Sequence, residues 1–363
     1  METQKLSFAR QMSHDILLGH DILSEIVGRM SRLGLHKRCI VVTNETVARW
    51  YLQPLIAELR TRGFETHEAI LPDGETHKTL ETAQSLFPKF LEAGLDRKSP
   101  VIALGGGVVC DLAGFAASVY MRGLPLVLMP TSLLAMIDAS LGGKNGVNLP
   151  EGKNLIGTFH QPALLGIDVS ALRTLPLNQL SYGIVEAVKH GAIADAPYFK
   201  FIQKNCASIK ARDLPLMQRL VRRSLHIKKT FVEADELDTT GSRASLNFGH
   251  TFGHAYEALG GYLRHHHGEA VGLGMLTALS VSRARGLLKE DYTESLTSLL
   301  KEFGLPVELP REYTPDAIAN AILHDKKRQR DAIKLILPVS LGAVEKVLVP
   351  ISDLKPLLES VMR

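Results

Sequence analysis

Two patterns of apolar positions divide the chain. In the first half, short β-branched runs alternate with segments whose apolar residues recur at helical spacing. Residues 38–43 (RCIVVT), a run around 68–71, 100–104 (PVIAL), 125–129 (PLVLM) and 164–168 read as strands. Helical patterns fill 45–62, 79–93 and 112–120, and Pro72-Asp73-Gly74 marks a turn. Short apolar strands separated by helices predict an α/β unit whose parallel sheet is covered on both faces. After Leu175-Pro176 the spacing becomes helical almost throughout, over 179–205, 214–236, 247–260, 268–285, 290–303 and 315–324. The exception is 333–337 and 344–349, which bracket Pro338 and Gly342 and read as a late hairpin. The expected organisation is an N-terminal α/β domain over 1–177 and a mostly helical domain over 178–363, a division that suits a chain of 363 residues. No internal repeat or low-complexity segment interrupts it.

Composition narrows the class. The balance of 45% hydrophobic and 22% charged residues is that of a water-soluble globular protein. A net charge of +4 without a long basic block gives no footprint for nucleic acid. No run approaches the length of a membrane span, and the N-terminus lacks an apolar leader core. Cys39, Cys110 and Cys206 are odd in number, far apart and without metal-binding spacing, so they read as reduced thiols of a cytoplasmic protein.

Chemistry concentrates in four places. The PVIAL strand runs into Gly105-Gly106-Gly107 and then a helix. That arrangement lets backbone N–H groups approach a diphosphate at a helix N-terminus, although the spacing is not that of the common dinucleotide fingerprint. After PLVLM, the small residues of 130–148 surround Asp138 and Lys144, and Lys153-Asn154 follow. These polar groups lie where ligands bind in α/β sheets, beyond the strand ends. In SYGIVEAVKH, Glu186 and Lys189 share an otherwise apolar helix, so the glutamate needs a cation partner or a metal. Finally NFGHTFGHAYEALGGYLRHHHGE (247–269) places His250 and His254 one helical turn apart and ends in a histidine triplet, His265 to His267. Side chains at i and i+4 share a helix face, and an open zinc site needs about three protein ligands. The competing readings are a solvated histidine loop and a simple i,i+3 Glu186–Lys189 pair.

Taken together, these motifs resemble the 3-dehydroquinate synthase family of sugar-phosphate cyclases. The matching segments are Gly74-Glu75 with Lys78, GGGVVCDLAGFAAS (105–118), YMRG (120–123), PTSLLAMIDASLGGKNGVN (130–148) and GKNLIGTFHQP (152–162). They continue in order through GIVEAVKHG (183–191), Asp235-Glu236, NFGHTFGHAYEA (247–258) and HGEAV (267–271).

The resemblance implies a Rossmann-like N-terminal domain, a bound NAD, one divalent ion (zinc, or cobalt) and a homodimer. It assigns metal ligation to Glu186, His250 and His267, because the third ligand precedes Gly-Glu directly. NAD contacts would fall on Asp73, Glu75, Lys78, Gly106, Gly107, Asp111, Thr131, Ser132, Lys144, Lys153, Leu172 and Thr174. Catalytic roles would fall on Asp138, Lys144, Glu186, Lys189 and His254. Substrate binding would use Arg122 (reaching the neighbouring subunit), Asn154, Lys228 or Lys229, Arg243, Asn247 and Lys326 or Lys327. The implied reaction takes 3-deoxy-D-arabino-heptulosonate 7-phosphate through transient oxidation, β-elimination of phosphate, re-reduction and aldol closure to 3-dehydroquinate, with NAD regenerated each turnover. A cyclase acting on a neutral sugar phosphate and a metal-dependent polyol dehydrogenase are the alternatives. Cys110, Asn145 and Asn44 stand where the family usually has Gly, Thr and Asp. Cys110 is expected to place its side chain near the diphosphate turn, and Asn44 to weaken an adenosine-ribose contact. There is one extra residue between Asp235 and Arg243, and another before His267.

Overall fold

The computed structural model describes residues 13–324, 328–329 and 331–362. The chain enters on β1 (Asp15–Gly19) and α1 (Leu23–Ser31), then β2 (Arg38–Asn44), α2 (Glu45–Thr61) and β3 (Glu65–Leu71). Two short helices, α3 (Leu80–Gln84) and α4 (Leu86–Glu92), lead to β4 (Val101–Gly105), α5 (Gly107–Val119) and β5 (Leu126–Pro130). A hairpin of β6 (Lys144–Leu149) and β7 (Gly152–Phe159) precedes β8 (Leu164–Asp168). Helices then dominate: α6 (Leu177–Ala194), α7 (Ala196–Lys204), α8 (Cys206–Lys210), α9 (Leu214–Ala234), α10 (His250–Leu259), α11 (His267–Ala284), α12 (Thr293–Glu302) and α13 (Pro315–His324). The chain closes with β9 (Arg328–Gln329), β10 (Ala332–Ser340), β11 (Ala343–Pro350) and α14 (Ile351–Val361).

Six strands form one sheet in the order β1-β8-β5-β4-β2-β3, and every pairing in it is parallel. Successive residues face opposite sides, and both sides are buried. Cys39, Val41, Ile102, Leu104 and Val127 pack against α1 and α2, whereas Ile40, Val42, Val101, Ala103 and Leu128 face α3, α4 and α5. The second of these cores continues into α6, α9, α10 and α11, so the helical half packs on the α5 side of the sheet. β2 leads outward to β3, while β4 returns to the other side of β2. The crevice beyond the carboxyl ends of β2 and β4 is therefore a topological switch point.

Several elements depart from the sequence pattern. Residues 79–93 form two helices, because Pro88 has no N–H to give the Gln84 carbonyl and the first helix ends there; the Ser85 hydroxyl donates to the Thr82 carbonyl at the junction. Residues 179–205 break at Asp195, whose carboxylate caps the next helix by accepting from the Tyr198 N–H at 2.9 Å. α5 begins at Gly107 rather than at 112, directly after the strand. The stretch expected as a binding loop contains a π-helical turn, Ala135–Ala139, and carries Lys144, Lys153 and Asn154 on the antiparallel hairpin β6–β7. The strand β1 and helices α1 and α14 are additional to the expected elements, although Ile26, Val27 and Met30 in α1 and Leu354 and Leu358 in α14 recur at helical spacing.

Candidate active site

The turn after β4 forms one side of the site. Gly106 caps α5 and Gly107 opens it. A Cβ on either would stand at ordinary contact distance, 3.5 Å from Ser132 Oγ and 3.4 Å from Ala139 Cβ. Glycine there leaves an open cradle at the positive end of a helix of 13 residues. Thr131 N–H donates to the Gly105 carbonyl at 2.9 Å and ties the β5 loop to it. One turn into α5, Asp111 meets the buried Lys78 ammonium, which also donates to Asn154 Oδ1 at 2.6 Å. Burial pushes the Asp111 carboxyl up against the opposing pull of Lys78. The Glu75 carboxylate accepts from Asn148 of β6 at 2.8 Å. The residues assigned to NAD and to phosphate thus form one interlinked edge.

Cys110 sits close to that turn, but its side chain points inward. The thiol is buried and approaches the Gly105 carbonyl at 3.8 Å, so the cradle stays free of it. Asn145 is a spacer between hairpin and helix. Its amide donates to the carbonyls of Gly143 (2.8 Å) and His160 (3.1 Å), and a Cβ on Gly114 of α5 would lie 1.8 Å from its oxygen. Asn44, at the end of β2, donates to Asp73, which also accepts from Thr46 N–H at 3.3 Å. A carboxylate at position 44 would instead face Asp73 with like charge. Leu172 is fully buried, leaving its backbone for any ligand contact, while the exposed Thr174 shares a 2.6 Å hydrogen bond with Tyr51.

The helical half supplies the other side. Glu186 of α6 is fully buried, and Lys189 pairs with one of its oxygens. The other oxygen, Oε1, accepts no hydrogen bond and faces His250 Nε2 at 3.5 Å and His267 Nε2 at 3.7 Å. Ligand atoms about 2.1 Å from a tetrahedral ion stand roughly 3.4 Å from one another, so this spacing fits an ion better than direct hydrogen bonds. Charges agree. Burial opposes ionisation of Glu186, but Lys189 and the two histidines outweigh it and hold the carboxyl well below its usual range. Burial, together with Lys189, pushes the His250 imidazole well down. Burial also opposes protonation of His267, yet Glu186 and Glu257 raise it to about 10. One carboxylate and two imidazoles whose nitrogen and oxygen atoms converge make a donor set suited to a cation.

The triplet divides its labour. His265 packs edge-on to Tyr313, His266 stacks on Tyr182 with 4.6 Å between centroids, and His267 alone joins Glu186 and His250. His254 lies beside the cluster, 5.6 Å ring to ring from His250. Around it, the Lys228 ammonium reaches both the carbonyl and the carboxylate of Asp138, each at 2.5 Å, whereas Lys229 turns outward to Glu233. Arg243 is 4% exposed and donates to the Glu236 carbonyl at 3.0 Å. It packs over Gly142, where φ is 106° and a Cβ would meet the guanidinium at 2.5 Å, so only glycine fits. Asn247 ends the adjoining 3-10 turn, Ser242–Asn247. Lys144 pairs with Asp238 at 2.5 Å, and Arg122 is exposed on a turn with positive φ at Met121 (48°), Arg122 (68°) and Gly123 (117°). Lys326 and Lys327 lie outside the described residues.

Three residues of the site escaped the sequence reading. Glu257 pairs with Lys153 at 2.6 Å, and its place at i, i+4, i+7 with His250 and His254 was a usable signal. His190, four residues after Glu186, is buried with neither ring nitrogen hydrogen-bonded, and burial with Lys189 pushes it down to about 3. Asp238 comes from an irregular loop that carries no periodic signal.

Comparison with known proteins accounts for this arrangement. The family model described as 3-dehydroquinate synthase N-terminal matches residues 68–182, and its C-terminal counterpart matches 183–328. A 3-dehydroquinate synthase of Desulforamulus reducens is 43% identical over 92% of both chains. The chain belongs to the 3-dehydroquinate synthase family. Among solved structures, 2-epi-5-epi-valiolone synthase from Streptomyces hygroscopicus subsp. jinggangensis, with NAD+ and Zn2+ bound, has a TM-score of 0.89 at 28% identity over 99% of both chains. A 2-deoxy-scyllo-inosose synthase complexed with carbaglucose-6-phosphate, NAD+ and Co2+ has a TM-score of 0.84 at 25% identity, over 96% of this chain and 97% of that one. The α/β sheet with a helical C-terminal part is thus the architecture of sugar-phosphate cyclases.

Proposed function

We propose that the chain converts 3-deoxy-D-arabino-heptulosonate 7-phosphate to 3-dehydroquinate and phosphate, the cyclase step of the shikimate pathway. The observation that carries this reading is the convergence of a buried carboxylate and two imidazoles at ion-ligand spacing, flanked by Lys189, Lys228 and Arg243. Glu186, His250 and His267 would hold one zinc or cobalt ion. NAD would lie across the carboxyl end of the sheet, on the Gly106–Gly107 cradle, with Asp73, Glu75, Lys78, Asp111, Thr131, Ser132, Lys144, Lys153, Leu172 and Thr174 around it. When bound, NAD supplies reversible hydride acceptance and the ion supplies Lewis-acid polarisation of the substrate oxygens. The division of labour follows the domains proposed at residue 177 for cofactor and ion, while the substrate would lie between them, met by Arg122, Asp138, Lys153 and Asn154 from one side and by Lys189, Lys228 and Arg243 from the other.

The protein's own groups then have separable tasks. Arg243, with Lys228 beside it, presents a guanidinium fork to the substrate carboxylate. Asn247, Asp138 and Lys189 orient the hydroxyls, with Lys189 held against Glu186. Lys153, Asn154, His254 and a partner subunit's copy of Arg122 face the phosphate, whose charge they meet as it leaves by β-elimination with the adjacent proton. Lys153 is held by Glu257 and Asn154 by Lys78, contacts that fix the two side chains in place for the phosphate. The use of Arg122 makes the active form a homodimer. The described cysteines are free and buried, and no described helix is long and apolar enough to cross a membrane, which supports a cytoplasmic setting.

Neutral sugar phosphates are the second reading, since two structural relatives are named for other cyclisation products. Arg243 favours the acid, because a guanidinium fork matches a carboxylate, a group that neutral sugar phosphates lack. Phosphate release from the heptulosonate phosphate, sedoheptulose 7-phosphate and glucose 6-phosphate, with NAD and zinc supplied, decides between them. Release from the acid substrate alone is expected. No release from it overturns the assignment, and net NADH from a simple polyol would favour a dehydrogenase.

A further inference from the structure

The carboxylate of Glu257 is 1% exposed and lies between two parts of the site. One oxygen, Oε1, accepts from Lys153 Nζ of β7 at 2.6 Å. The other, Oε2, faces His267 Nδ1 at 3.6 Å and accepts no hydrogen bond. The opposite nitrogen of that ring, Nε2, is the one turned toward Glu186. A shift of about 0.7 Å would bring Nδ1 and Oε2 to hydrogen-bond distance.

We propose that Glu257 is the positioning residue of the ion site: it accepts from His267 Nδ1–H, leaves Nε2 as the ligand atom, and ties that orientation through Lys153 to the β6–β7 hairpin. The inference rests on the ligand set proposed above. Neutral imidazole exists as two tautomers, and an ionised carboxylate can only accept, so it selects the ring with the proton on Nδ1. Glu257 reaches both groups because it lies on α10 with His250, while His267 opens α11 and Lys153 comes from the other half of the chain. Lys153 keeps the buried carboxylate compensated, so it has no need to neutralise itself by binding a proton. Outer carboxylates of this kind typically change metal affinity by about 10–100-fold.

Full-length, zinc-loaded protein titrated with a chromophoric chelator tests this. Glu257→Gln, which preserves shape, should weaken zinc about 10–100-fold, and Glu257→Asp should recover part of the loss. Lys153→Met should change zinc affinity less than Glu257→Gln does. Long-range proton–nitrogen NMR of zinc-loaded parent protein should find the His267 proton on Nδ1, a readout that needs no variant to fold. A folded Glu257→Gln protein with parental zinc affinity, or a parent ring protonated on Nε2, overturns the inference. Glu186→Gln in the same titration separates the two levels. If it too binds zinc like the parent, the ligand set falls and this inference with it; if only Glu257→Gln is neutral, the ligand set survives alone.

Discussion

The two walls of the site hold their charges in opposite ways. On the helical wall, Glu186, Lys189, Lys228 and Arg243 are at most 5% exposed, and each is held by a protein partner. On the sheet-and-hairpin wall, apart from the buried Lys78–Asp111 pair, the charges are open: the Lys144 side chain is 53% exposed, and Arg122, Asp73 and Asn154 lie at the surface. Burial makes an unpaired charge expensive, so each of these charges on the helical wall has a protein partner before any ligand arrives, and the unmatched Glu186 Oε1 is the atom left to face the histidines. Exposed charges cost little and rearrange freely. On the proposed function, the first wall would fix the reacting carbons relative to the ion, and the second would grip and release the phosphates.

The largest effect should come from breaking the buried wall at its centre. Glu186→Gln removes a proposed ligand, so zinc retention after dialysis should fall by more than the roughly 100-fold that an outer partner is worth. It also strands Lys189, costing about 3–5 kcal/mol in denaturant unfolding of the metal-free protein. Metal analysis showing full retention refutes the ligand assignment. Next comes Arg243→Ala, which should lower kcat/KM for the acid substrate roughly 10–100-fold, the worth of a charged hydrogen bond of about 1.5–3 kcal/mol. A neutral sugar phosphate should lose far less, and equal losses would remove the case for carboxylate recognition.

Lys228→Met tests the same wall by pH. Burial pulls the Asp138 carboxyl up, but Lys228 outweighs it and holds the group below its ordinary value. A depressed carboxyl adds stability above the ordinary aspartate range, near about pH 4, and loses it as pH falls through the folded value. In the variant, carbon-13 NMR should find Asp138 titrating at higher pH. The stability gap to the parent should be widest near neutral pH and narrow in acid; a gap that widens in acid would contradict the pairing. Lys144→Met, on the exposed wall, should have the smallest effect on folding, within about 1 kcal/mol because its pair with Asp238 is solvated. Its loss should appear in turnover instead, and an unfolding shift as large as that of Lys228→Met would erase the contrast between the walls.

Much of this was legible from local pattern. The continuous apolar runs at 38–43, 100–104 and 125–129 became central strands, and they lack alternation because both faces of the sheet are covered. The β6–β7 hairpin was hidden, since its glycines and polar residues carry no alternation and its pairing is fixed by contact with α5 through Asn145 and Gly114. The breaks at Ser85 and Asp195 are set by Pro88 and Pro197, which cannot donate to the helical ladder, and by the Asp195 cap, none of which apolar periodicity registers. Among the histidines, the tidy i,i+4 pair does not define the ion cluster. His250 meets His267 across two helices, because Gly249, at φ 79° and packed on Met275, lets α10 start beside α11.

By itself the sequence determined the alternation of strands and helices, the glycine turn before α5, and the family, because these depend on neighbours a few residues apart. Only the tertiary structure decided which nitrogen of His267 faces Glu186, that Glu257 backs the other, and that Lys228 rather than Lys229 turns inward. Those outcomes follow from how α6, α9, α10 and α11 rotate about their axes as they pack. That rotation is set by long-range burial, and no window of the chain contains it.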